Sequence, residues 1–478
     1  MRRDVAAALA LASGLLALAA EWWAPQPVLA WLAPVPVLAA TLRRRADDPW
    51  WLALLFGLVA HVPVLRWAWL NPGWPVGATL GAYAGLVGLK VAQLEVLAKT
   101  ARGAPTLAPF AFAATVALSE WLLEVGRLAL WWTWGAPLAT LGWLHDVSAL
   151  GGAHLVSFVA ALGAAMLALV VALPGRASAR TAVVTVLAIT GAAVAGRYFH
   201  PDVTRSVTVG AVVQRLDPAI AERWDARDVR HDDTLVVLQG YERLTHEAAE
   251  RGASLVVWPE YAVHVGAKDL RLWRDRVRRL AMETATTVVA GFIDAGNGGN
   301  RAMLASPAGH VAMYTKQFLA PGIESGWQRP GDQPFGALLI GDLRVGARIC
   351  YDAEYPAGFR AARHVGVQLM AIPSRDWRGI EAAHAAPVPY RASENGFAVV
   401  RATRGGRSLI VDPNGGIVAQ ADDDGGDVVL VADVPVPSQS GATGYGRFGN
   451  WPVVLAVIVL TAVALRAVFR PRSRSSRA

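Results

Sequence analysis

Apolar residues are concentrated in two regions of the chain, and a long polar region separates them. Eight apolar segments approach the roughly 20 residues that an α-helix needs to cross a bilayer. They lie at about 5–20, 22–42, 50–70, 76–98, 106–126, 147–173, 181–197 and 452–470. Several contain Pro or Gly, which membrane helices tolerate where neighbouring groups satisfy the freed backbone. The pattern predicts a multi-pass α-helical membrane part.

The polar region alternates short β-rich runs with stretches of helical periodicity. Segments 206–214 and 287–292 have the composition of strands, and 232–251 carries apolar residues at helical spacing. Such alternation predicts a layered α/β domain. We therefore expect three parts: a bundle of about seven helices over 1–197, an α/β domain over 198–450, and a membrane helix with a basic tail over 451–478.

Composition supports a membrane protein and argues against a nucleic-acid-binding one. The 478 residues are 54% hydrophobic and 17% charged, whereas a soluble domain carries about 25% charged residues. The net charge is +8, but the basic residues lie beside the apolar segments and do not form one soluble patch. We expect the bilayer, and no nucleic acid, as a partner.

Positive charges predict the orientation in the membrane, because Lys and Arg are in excess on the cytoplasmic side. Basic residues flank every second connection between the apolar segments: Arg2, Arg3, Arg43, Arg44, Arg45, Lys99, Arg102, Arg176, Arg180, Arg470, Arg472, Arg474 and Arg477. This distribution places both termini in the cytoplasm and the polar region outside. A signal peptide is the alternative interpretation of the first segment, and its removal would leave the sidedness unchanged.

Three residues of the polar region are candidates for covalent catalysis. Cys350 is the only cysteine of the chain, and like Glu260 and Lys316 it follows a strand-like run. In layered α/β domains, ligands bind at the carboxyl ends of strands. Glu260 could take the thiol proton if its surroundings are dry, and Lys316 could stabilise an oxyanion. Considered singly, a buried small hydrophobe, a solvated acid and a surface lysine remain open as alternatives.

The motifs around these residues resemble those of the nitrilase superfamily, and more closely those of its membrane-embedded branch, the apolipoprotein N-acyltransferases. The similarity runs through nearly the whole chain. It rests on Trp224-Asp225, Val-Trp-Pro-Glu (257–260), Lys316-x-x-Leu319-x-Pro321-x-x-Glu324, Ile349-Cys350-Tyr351, Arg391-Ala392-x-Glu394-Asn395-Gly396, Gly446-x-x-Gly449-Asn450-Trp451-Pro452, Ser119-Glu120-Trp121 and Trp131-Trp132-Thr133-Trp134.

The resemblance implies a four-layer α-β-β-α nitrilase-like sandwich carried on a helical bundle in the inner membrane of a bacterium. It implies transfer of an acyl chain from a phospholipid, through a thioester on Cys350, to the α-amino group of a diacylated lipoprotein. Glu260 would be the general base and Lys316 the oxyanion stabiliser. The resemblance also implies supporting or substrate-binding roles for Glu324, Tyr351, Asp352, Trp224 and Trp377. We expect no cofactor and no metal.

Some positions differ from the usual motifs of this branch. The residue after Cys350-Tyr351 is Asp352, where Glu is usual, and Ser374-Arg375-Asp376-Trp377-Arg378-Gly379 stands in place of Asn-Asp-Ala-Trp-Phe-Gly. These differences leave Glu260, Lys316 and Cys350 intact. They bear on the choice of acceptor, so a divergent acyltransferase with another amine acceptor is one alternative.

Two further functions are compatible with the sequence. A membrane-anchored amidase would use the same three residues with water as the acceptor. A transporter or scaffold would instead use the ionisable residues of the apolar part, which mark functional sites in membrane proteins. Among these, Glu120 is the least easily explained as a residue at a helix end.

Overall fold

The computed structural model describes residues 1–22, 26–44, 49–71, 76–129, 133–321, 323–438 and 442–469. Arg45, Trp131 and Trp132 lie outside the described residues, as does the basic tail from Arg470 onward.

Nine α-helices lie in the described part of the chain before the first strand. They are α1 (Arg3–Trp22), α2 (Pro27–Leu32), α3 (Val35–Arg44), α4 (Trp50–Ala60), α5 (Val62–Leu70), α6 (Val76–Gly103), α7 (Ala108–Val125), α8 (Gly142–Ala172) and α9 (Arg176–Arg197). Among the described residues, seven stretches of helix are long and apolar enough to cross a membrane, counting the one at the C-terminal end of the chain.

Proline and glycine shape these helices. The predicted segment 22–42 is two short helices, α2 and α3, with Pro34 and Pro36 at the junction between them. Proline lacks the N–H and clashes with the preceding turn, so a helix ends or bends there. Helix α8 is broken at Gly152, whose φ of 77° and ψ of −178° are not helical. A side chain at this position would overlap the ring of Tyr445.

In the part of the chain that the structure describes, thirteen strands form two sheets. They are β1 (Val203–Val213), β2 (Leu255–Val257), β3 (Val263–Val265), β4 (Thr287–Asp294), β5 (Gly299–Ala305), β6 (Val311–Thr315), β7 (Gly336–Ile340), β8 (Leu343–Ala347), β9 (Leu369–Arg375), β10 (Ala398–Arg404), β11 (Arg407–Val411), β12 (Ile417–Asp422) and β13 (Val428–Pro437). The first sheet has the order β13-β1-β2-β4-β5-β6, with β3 paired to β4, and the second has the order β12-β11-β10-β9-β8-β7.

Among the described residues, eight α-helices follow β1 along the chain. They are α10 (Pro218–Asp225), α11 (His231–Glu250), α12 (Leu270–Glu283), α13 (Pro356–His364), α14 (Glu381–Ala385), α15 (Pro387–Asn395), α16 (Gly444–Phe448) and α17 (Trp451–Val468). Residues 381–395 form two helices, since Pro387 begins α15 and interrupts the hydrogen-bond ladder. The last, α17, is the apolar helix expected near 452–470.

Three buried clusters of apolar residues separate the layers of the α/β part. Residues such as Val257, Val289 and Val400 fill the space between the two sheets. Helices α11 and α12 cover the outer face of the first sheet, and α13 and α15 cover that of the second. Full burial of a Val or Phe side chain stabilises a fold by about 1.5–3 kcal/mol. The result is the expected four-layer α-β-β-α sandwich.

The sandwich is attached to the helical bundle where α8 is broken. The backbone N–H of Ala153, freed by the break at Gly152, donates to Glu394 Oε1 of α15 at 2.6 Å. Tyr390 of the same helix donates its hydroxyl to the Gly135 carbonyl at 2.9 Å. The interruption of α8 thus gives α15 a backbone donor with which to dock on the bundle.

Candidate active site

The first sheet brings a glutamate and a lysine together. Glu260 follows β2, and Lys316 comes directly after β6. The Lys316 N–H donates to the carbonyl of Asn300 in β5 at 2.8 Å, which extends the sheet ladder as far as the lysine. The Glu260 N–H donates to the Ser374 carbonyl at 3.2 Å, which joins this edge to the second sheet.

The side chains of Glu260, Lys316 and Glu324 form a buried Glu–Lys–Glu cluster. Lys316 Nζ lies 2.8 Å from Glu260 Oε1, and 2.9 and 2.7 Å from the two carboxylate oxygens of Glu324. The three side chains are 2%, 1% and 3% exposed in chain order. Two ion pairs therefore hold the three charged side chains together within the protein.

Further polar groups hold the two carboxylates. Asn300 Nδ2 donates to Glu260 Oε1 at 2.6 Å. Glu324 accepts from the Ala320 N–H at 2.7 Å and from the Tyr261 hydroxyl. Gln328 donates in turn to the Tyr261 oxygen at 2.5 Å. Each carboxylate is therefore fixed in position before any substrate arrives.

The electrostatics of the cluster keep Lys316 charged. Burial on its own lowers a lysine pKa, but the two carboxylates outweigh burial and hold the pKa of Lys316 well above its ordinary value. The ammonium can stabilise negative charge on a substrate throughout a reaction cycle. It cannot serve as the proton acceptor.

Cys350 lies in a strained turn beyond the end of a strand. The sequence predicted a strand up to Cys350, but β8 ends at Ala347 and Cys350 begins a 3-10 turn, Cys350–Glu354. Its φ of 49° is in the left-handed region, which costs a residue with a side chain about 1–3 kcal/mol. Its thiol donates to the Arg375 carbonyl, with a distance of 3.4 Å between Sγ and the oxygen. Such turns aim a side chain away from the sheet.

Asp352 holds this turn in place. Its carboxylate accepts from the Tyr314 hydroxyl at 2.7 Å, from the Phe318 N–H at 2.8 Å and from the Ile349 N–H at 3.0 Å. The side chain is fully buried. The hydrogen bonds of Asp352 are with residues around the turn that carries Cys350. No described hydrogen bond joins Asp352 to the Glu–Lys–Glu cluster.

The Cys350 thiol is protonated at rest. Burial and the negative charge of Glu260 raise its pKa well above the ordinary value, and the Lys316 ammonium opposes them only in part. The thiolate is the reactive form of cysteine. Deprotonation must therefore accompany any attack by this sulfur on a substrate.

Tyr351 and Trp377 lie where the sandwich meets the bundle. The Tyr351 hydroxyl donates to the Ala129 carbonyl at 2.6 Å, and Tyr351 and Trp377 belong to one apolar cluster with Trp67 of α5. The rings of Trp67 and Trp377 are 6.1 Å apart. The residue after the nucleophile is thus tied directly to the membrane part.

Trp224 is connected to the cluster through two aromatic residues. Its ring stacks on His264 with a centroid distance of 4.4 Å and an interplanar angle of 4°. His264 meets Tyr261 edge to face at 6.0 Å, and Tyr261 donates to Glu324. Burial, with Arg404 and Arg375 nearby, lowers the pKa of His264 to about 3, so its imidazole is neutral.

Sequence reasoning did not single out Asn300, Tyr261, Gln328 or His264. Tyr261 follows Glu260 directly, and its φ of 54° gives it an unusual backbone conformation. Asn300 is the second residue of β5. Asn is depleted in strands, and this was the one signal that could have marked it. No described group of three or more His, Cys, Asp or Glu side chains could hold a metal ion.

Comparison with known proteins agrees with the fold class. The carbon-nitrogen hydrolase family profile matches residues 211–440. An apolipoprotein N-acyltransferase of Chromobacterium violaceum is 27% identical over 93% of this chain and 91% of its own length. One from Gloeobacter violaceus is 29% identical over 100% of this chain and 96% of its own length.

Matches to amidases are shorter. An (R)-stereoselective amidase of a Pseudomonas species is 31% identical over 28% of this chain and 53% of its own length. The crystal structure of an amidase from a Nesterenkonia species is 26% identical and covers 49% of this chain and 92% of the amidase, with a TM-score of 0.41. Neither match covers more than half of this chain.

Fold and site together define a membrane protein in which a nitrilase-like sandwich carries a buried cysteine, glutamate and lysine. Residues 211–440 match the carbon-nitrogen hydrolase family, and the chain is similar over nearly its whole length to apolipoprotein N-acyltransferases. It is an enzyme of acyl transfer, and the amidase alternative is not favoured.

Proposed function

We propose that this protein transfers an acyl chain from a phospholipid to the α-amino group of a lipoprotein's diacylglyceryl-cysteine, through a thioester on Cys350. The observation that carries the proposal is the position of Cys350 in a left-handed turn within the electrostatic field of Glu260 and Lys316. The end-to-end similarity to apolipoprotein N-acyltransferases supplies the acceptor class.

In the first half-reaction the thiol proton passes to Glu260 while Cys350 Sγ attacks the ester carbonyl of the phospholipid. No described residue donates a hydrogen bond to Oε2 of Glu260, whereas Lys316 and Asn300 occupy Oε1. Both oxygens of Glu324 are already accepting hydrogen bonds. Glu260 is therefore the better base, and Glu324 orients Lys316.

The tetrahedral intermediate carries its negative charge on the former carbonyl oxygen. Lys316 Nζ and a backbone N–H near Tyr351 stabilise this oxyanion, and removal of one such donor typically costs about 10²–10³ in rate. Collapse breaks the ester bond, and the alcohol oxygen of the lysophospholipid leaves with the proton that Glu260 held. The acyl chain remains on Sγ as a thioester.

In the second half-reaction the neutral α-amine attacks the thioester carbonyl. An α-amino group has a pKa of about 7.7–8.0, so a usable neutral fraction exists near neutral pH. Glu260 takes a proton from the attacking nitrogen and returns it to the departing sulfur, which regenerates the thiol. Burial of all three catalytic groups keeps water away from the thioester in the interval.

The other site residues have supporting roles in this proposal. Asp352 fixes the turn that carries Cys350, Tyr351 and Trp377 line the side that faces the membrane, and Trp224 contributes an apolar wall near the substrate. The catalytic domain spans 198–450, between a bundle over 1–197 and a last helix with a tail over 451–478. It lies on the extracytoplasmic side of a bacterial inner membrane, with both termini in the cytoplasm.

The test is mass spectrometry of the intact, detergent-purified protein after incubation with phospholipid. We expect an added fatty-acyl mass that hydroxylamine removes. Cys350→Ala, which should keep the fold because it removes one small buried atom, should not gain this mass. A diacylated lipopeptide should then discharge the adduct and become N-acylated.

Two outcomes would contradict the proposal. An adduct that only water discharges would indicate hydrolysis or a different acceptor. A folded protein that forms no adduct, yet releases ammonia from soluble amides, would indicate the amidase.

A further inference from the structure

Two arginines, Arg375 and Arg404, form a pair at the carboxyl ends of adjacent strands, and the mechanism above does not use their side chains. Arg375 is the last residue of β9, and Arg404 is the last residue of β10. These strands are parallel, and the two arginines are partners in the register that joins them. Their side chains therefore lie on the same face of the sheet, because successive residues of a strand alternate between its faces. In layered α/β folds, ligands bind at this edge.

The charge of Arg375 is only partly paired within the protein. Its Nη2 donates to Asp225 Oδ1 at 3.3 Å, and its guanidinium lies over the ring of Tyr261, 5.7 Å from the ring centroid. The side chains of Arg375 and Asp225 are 29% and 66% exposed. An ion pair between exposed side chains stabilises little. Asp225 thus shows that a carboxylate fits against Arg375, and another carboxylate could displace it at little cost.

Arg404 adds a second positive charge and a donor that the protein leaves unsatisfied. Its Nη1 is buried and has no hydrogen-bond partner among the described residues. Burial, followed by the charge of Arg375, lowers the pKa of Arg404 to about 10, so both guanidinium groups are charged at neutral pH. A buried donor without a partner keeps the full cost of its lost hydration. An anion bound to both arginines would offset that cost and reduce their mutual repulsion.

The arginine pair lies next to the nucleophile. The Arg375 carbonyl is the group that accepts the hydrogen bond of the Cys350 thiol. Burial, together with the charges of both arginines, lowers the pKa of His264 to about 3, which places the pair near this imidazole. His264 belongs to the aromatic wall that it forms with Trp224 and Tyr261. A substrate whose reacting atom is at the sulfur can therefore place a neighbouring group against the arginine pair.

The arginine pair faces the sandwich, whereas the residues that follow it along the chain face the bundle. Both described partners of the Arg375 guanidinium belong to the sandwich. In contrast, Trp377 packs with Trp67 of α5, and the Arg378 carbonyl accepts from Asn71. The acyl chains of a lipid lie in the bilayer with the bundle, whereas the peptide of a lipidated acceptor is polar and extends out of the bilayer. The position of the arginine pair therefore favours the peptide as its ligand.

We propose that the arginine pair is a carboxylate-binding subsite for the acceptor, and that it recognises an acidic side chain at the first or second position after the lipidated cysteine. An extended peptide advances about 3.3–3.6 Å per residue, so these positions stay near the sulfur while the α-amine attacks there. Arginine commonly binds a carboxylate through two parallel hydrogen bonds. The inference deepens the proposed function, on which it rests, because it names the class of peptide that the enzyme prefers to acylate.

The test measures the second half-reaction by itself. The protein is first acylated with ester-linked phospholipid and freed of excess lipid, and a diacylated lipopeptide at low concentration then discharges the thioester. Two lipopeptides differ only in having Glu or Gln at both positions after the lipidated cysteine. Mass spectrometry of samples quenched at a series of times gives the two rate constants. We expect the Glu peptide to discharge the thioester about 10–100-fold faster, the effect of one charge-assisted contact.

Substitutions in the arginine pair should remove or reverse this preference. Arg375→Gln and Arg404→Gln should each bring the ratio of the two rate constants closer to one, because each removes a charged donor to the carboxylate. Arg375→Asp introduces the residue that the membrane-embedded branch usually has at this position. It should reverse the preference, so that a lipopeptide with Lys at the same positions discharges the thioester faster than the Glu peptide. A merely structural role for the pair would change thermal stability but not this ratio.

A neighbouring strand offers a matched control. Arg407 of β11 pairs with Asp422 at 2.8 Å, and their side chains are 34% and 62% exposed, much like those of Arg375 and Asp225. Arg407→Gln therefore removes an equal charge from the same sheet and from an equally exposed ion pair. It should not change the ratio of the two rate constants. If it changes the ratio as much as Arg375→Gln does, the preference reflects net charge and the subsite proposal is wrong.

Equal rate constants for the Glu and Gln lipopeptides in the wild-type protein would overturn the subsite proposal. So would an equal loss of thioester formation in Arg375→Gln, since the arginine pair would then hold the phosphate of the donor.

Failure of the acyl transfer is a separate outcome, because thioester formation is measured before any lipopeptide is added. If no thioester forms, native mass spectrometry of Cys350→Ala with the two lipopeptides compares their binding without chemistry. Tighter binding of the Glu peptide would retain the subsite and overturn only the proposed function, whereas equal binding would overturn both.

Discussion

Two buried clusters of charge in this protein have opposite designs. In the Glu–Lys–Glu cluster of the sandwich, Lys316 lies within 2.9 Å of two carboxylates, and Asn300, Tyr261 and backbone N–H groups satisfy the rest. At the junction of the helical bundle and the sandwich, Lys90 of α6 and Glu120 of α7 are similarly buried, yet they form no ion pair with each other in the described part of the chain. Ion pairs hold the first cluster together, and none joins these two residues.

Electrostatic catalysis requires charges that are already oriented before the substrate arrives, so that little reorganisation accompanies the reaction. The Glu–Lys–Glu cluster has this property, because both carboxylates lie within hydrogen-bond distance of Lys316. Lys90 lies over the ring of Trp134 instead, and Glu120 accepts from the Trp134 N–H. The comparison teaches that burial alone does not bring opposite charges into contact.

The largest expected effect is on the rate of thioester formation, which should fall far more when Glu260 is changed than when Glu120 is changed. Glu260→Gln removes the general base and should lower the rate of thioester formation by about 10²–10⁴-fold. Glu120→Gln should change the same rate by less than about tenfold, since no hydrogen bond or ion pair among the described residues joins Glu120 to Glu260, Lys316 or Cys350. Mass spectrometry of acyl-enzyme quenched at a series of times measures the rate in both variants. Equal losses of rate in Glu260→Gln and Glu120→Gln would contradict the assignment of catalysis to the Glu–Lys–Glu cluster alone.

The next effect is on stability. Glu324→Gln leaves Lys316 with a single carboxylate in a dry site, and removal of one partner from a buried pair costs about 3–5 kcal/mol. We expect about 3 kcal/mol, because Glu260 remains. Lys90→Met, which replaces an unpaired charge by an apolar side chain, should be neutral or stabilising. Urea titration in detergent micelles measures both free energies of unfolding, and a destabilised Lys90→Met would contradict this contrast.

A smaller effect concerns His264 and the dependence of the free energy of unfolding on pH. Its pKa is lowered to about 3 in the folded protein, against about 6.5 in an unfolded chain. Between these values the unfolded state binds the additional proton, so stability falls as the pH decreases below about 6.5. At pH 5 this loss amounts to about 2 kcal/mol, from 1.36 kcal/mol per unit.

His264→Phe keeps the stacking on Trp224 and cannot take up a proton. The loss of stability between pH 7.5 and pH 5 should therefore be smaller in this variant than in the wild-type protein. Thermal unfolding in detergent at both pH values measures the difference. Equal losses in the two proteins would mean that His264 is already protonated in the folded state.

The smallest effect concerns the thiol beside the Glu–Lys–Glu cluster. Cys350 is the only cysteine, so the same chain unfolded in dodecyl sulfate provides its own reference. The midpoint of the pH dependence of alkylation should lie at higher pH in the folded protein, because burial and Glu260 raise the thiol pKa. Lys316→Met should move it further upward. A folded midpoint below the unfolded one would mean that the resting enzyme carries a thiolate.

Much of the fold could be predicted from the order of residues. The helix at His231–Glu250 and the strands at Thr287–Asp294 and Val203–Val213 follow local periodicity and composition, and they lie within a few residues of their expected positions. Strands β3, β7 and β12 were not predicted, since runs of three to six residues carry too little periodic signal. Proline within a helical pattern accounts for the breaks that divide 22–42 and 381–395.

The candidate site was predicted only as a set of residues. Glu260, Lys316 and Glu324 were named, but their pairing joins Lys316 to residues 56 and 8 positions away in the chain. The sequence shows Asp352 at a position where the membrane-embedded branch usually has glutamate. Its function in holding the turn depends on Tyr314, Phe318 and Ile349, which only the folded sandwich brings to it.

The sequence by itself determined the membrane character, the layered α/β class and the identity of the three catalytic candidates, because hydropathy, periodicity and motif spacing are local properties. The tertiary structure alone decided which charges are saturated. Glu120 and Glu354 lie in separate parts of the chain, yet they line one cavity with Lys90. Their electrostatics depend on distances and burial in three dimensions, which the order of residues does not contain.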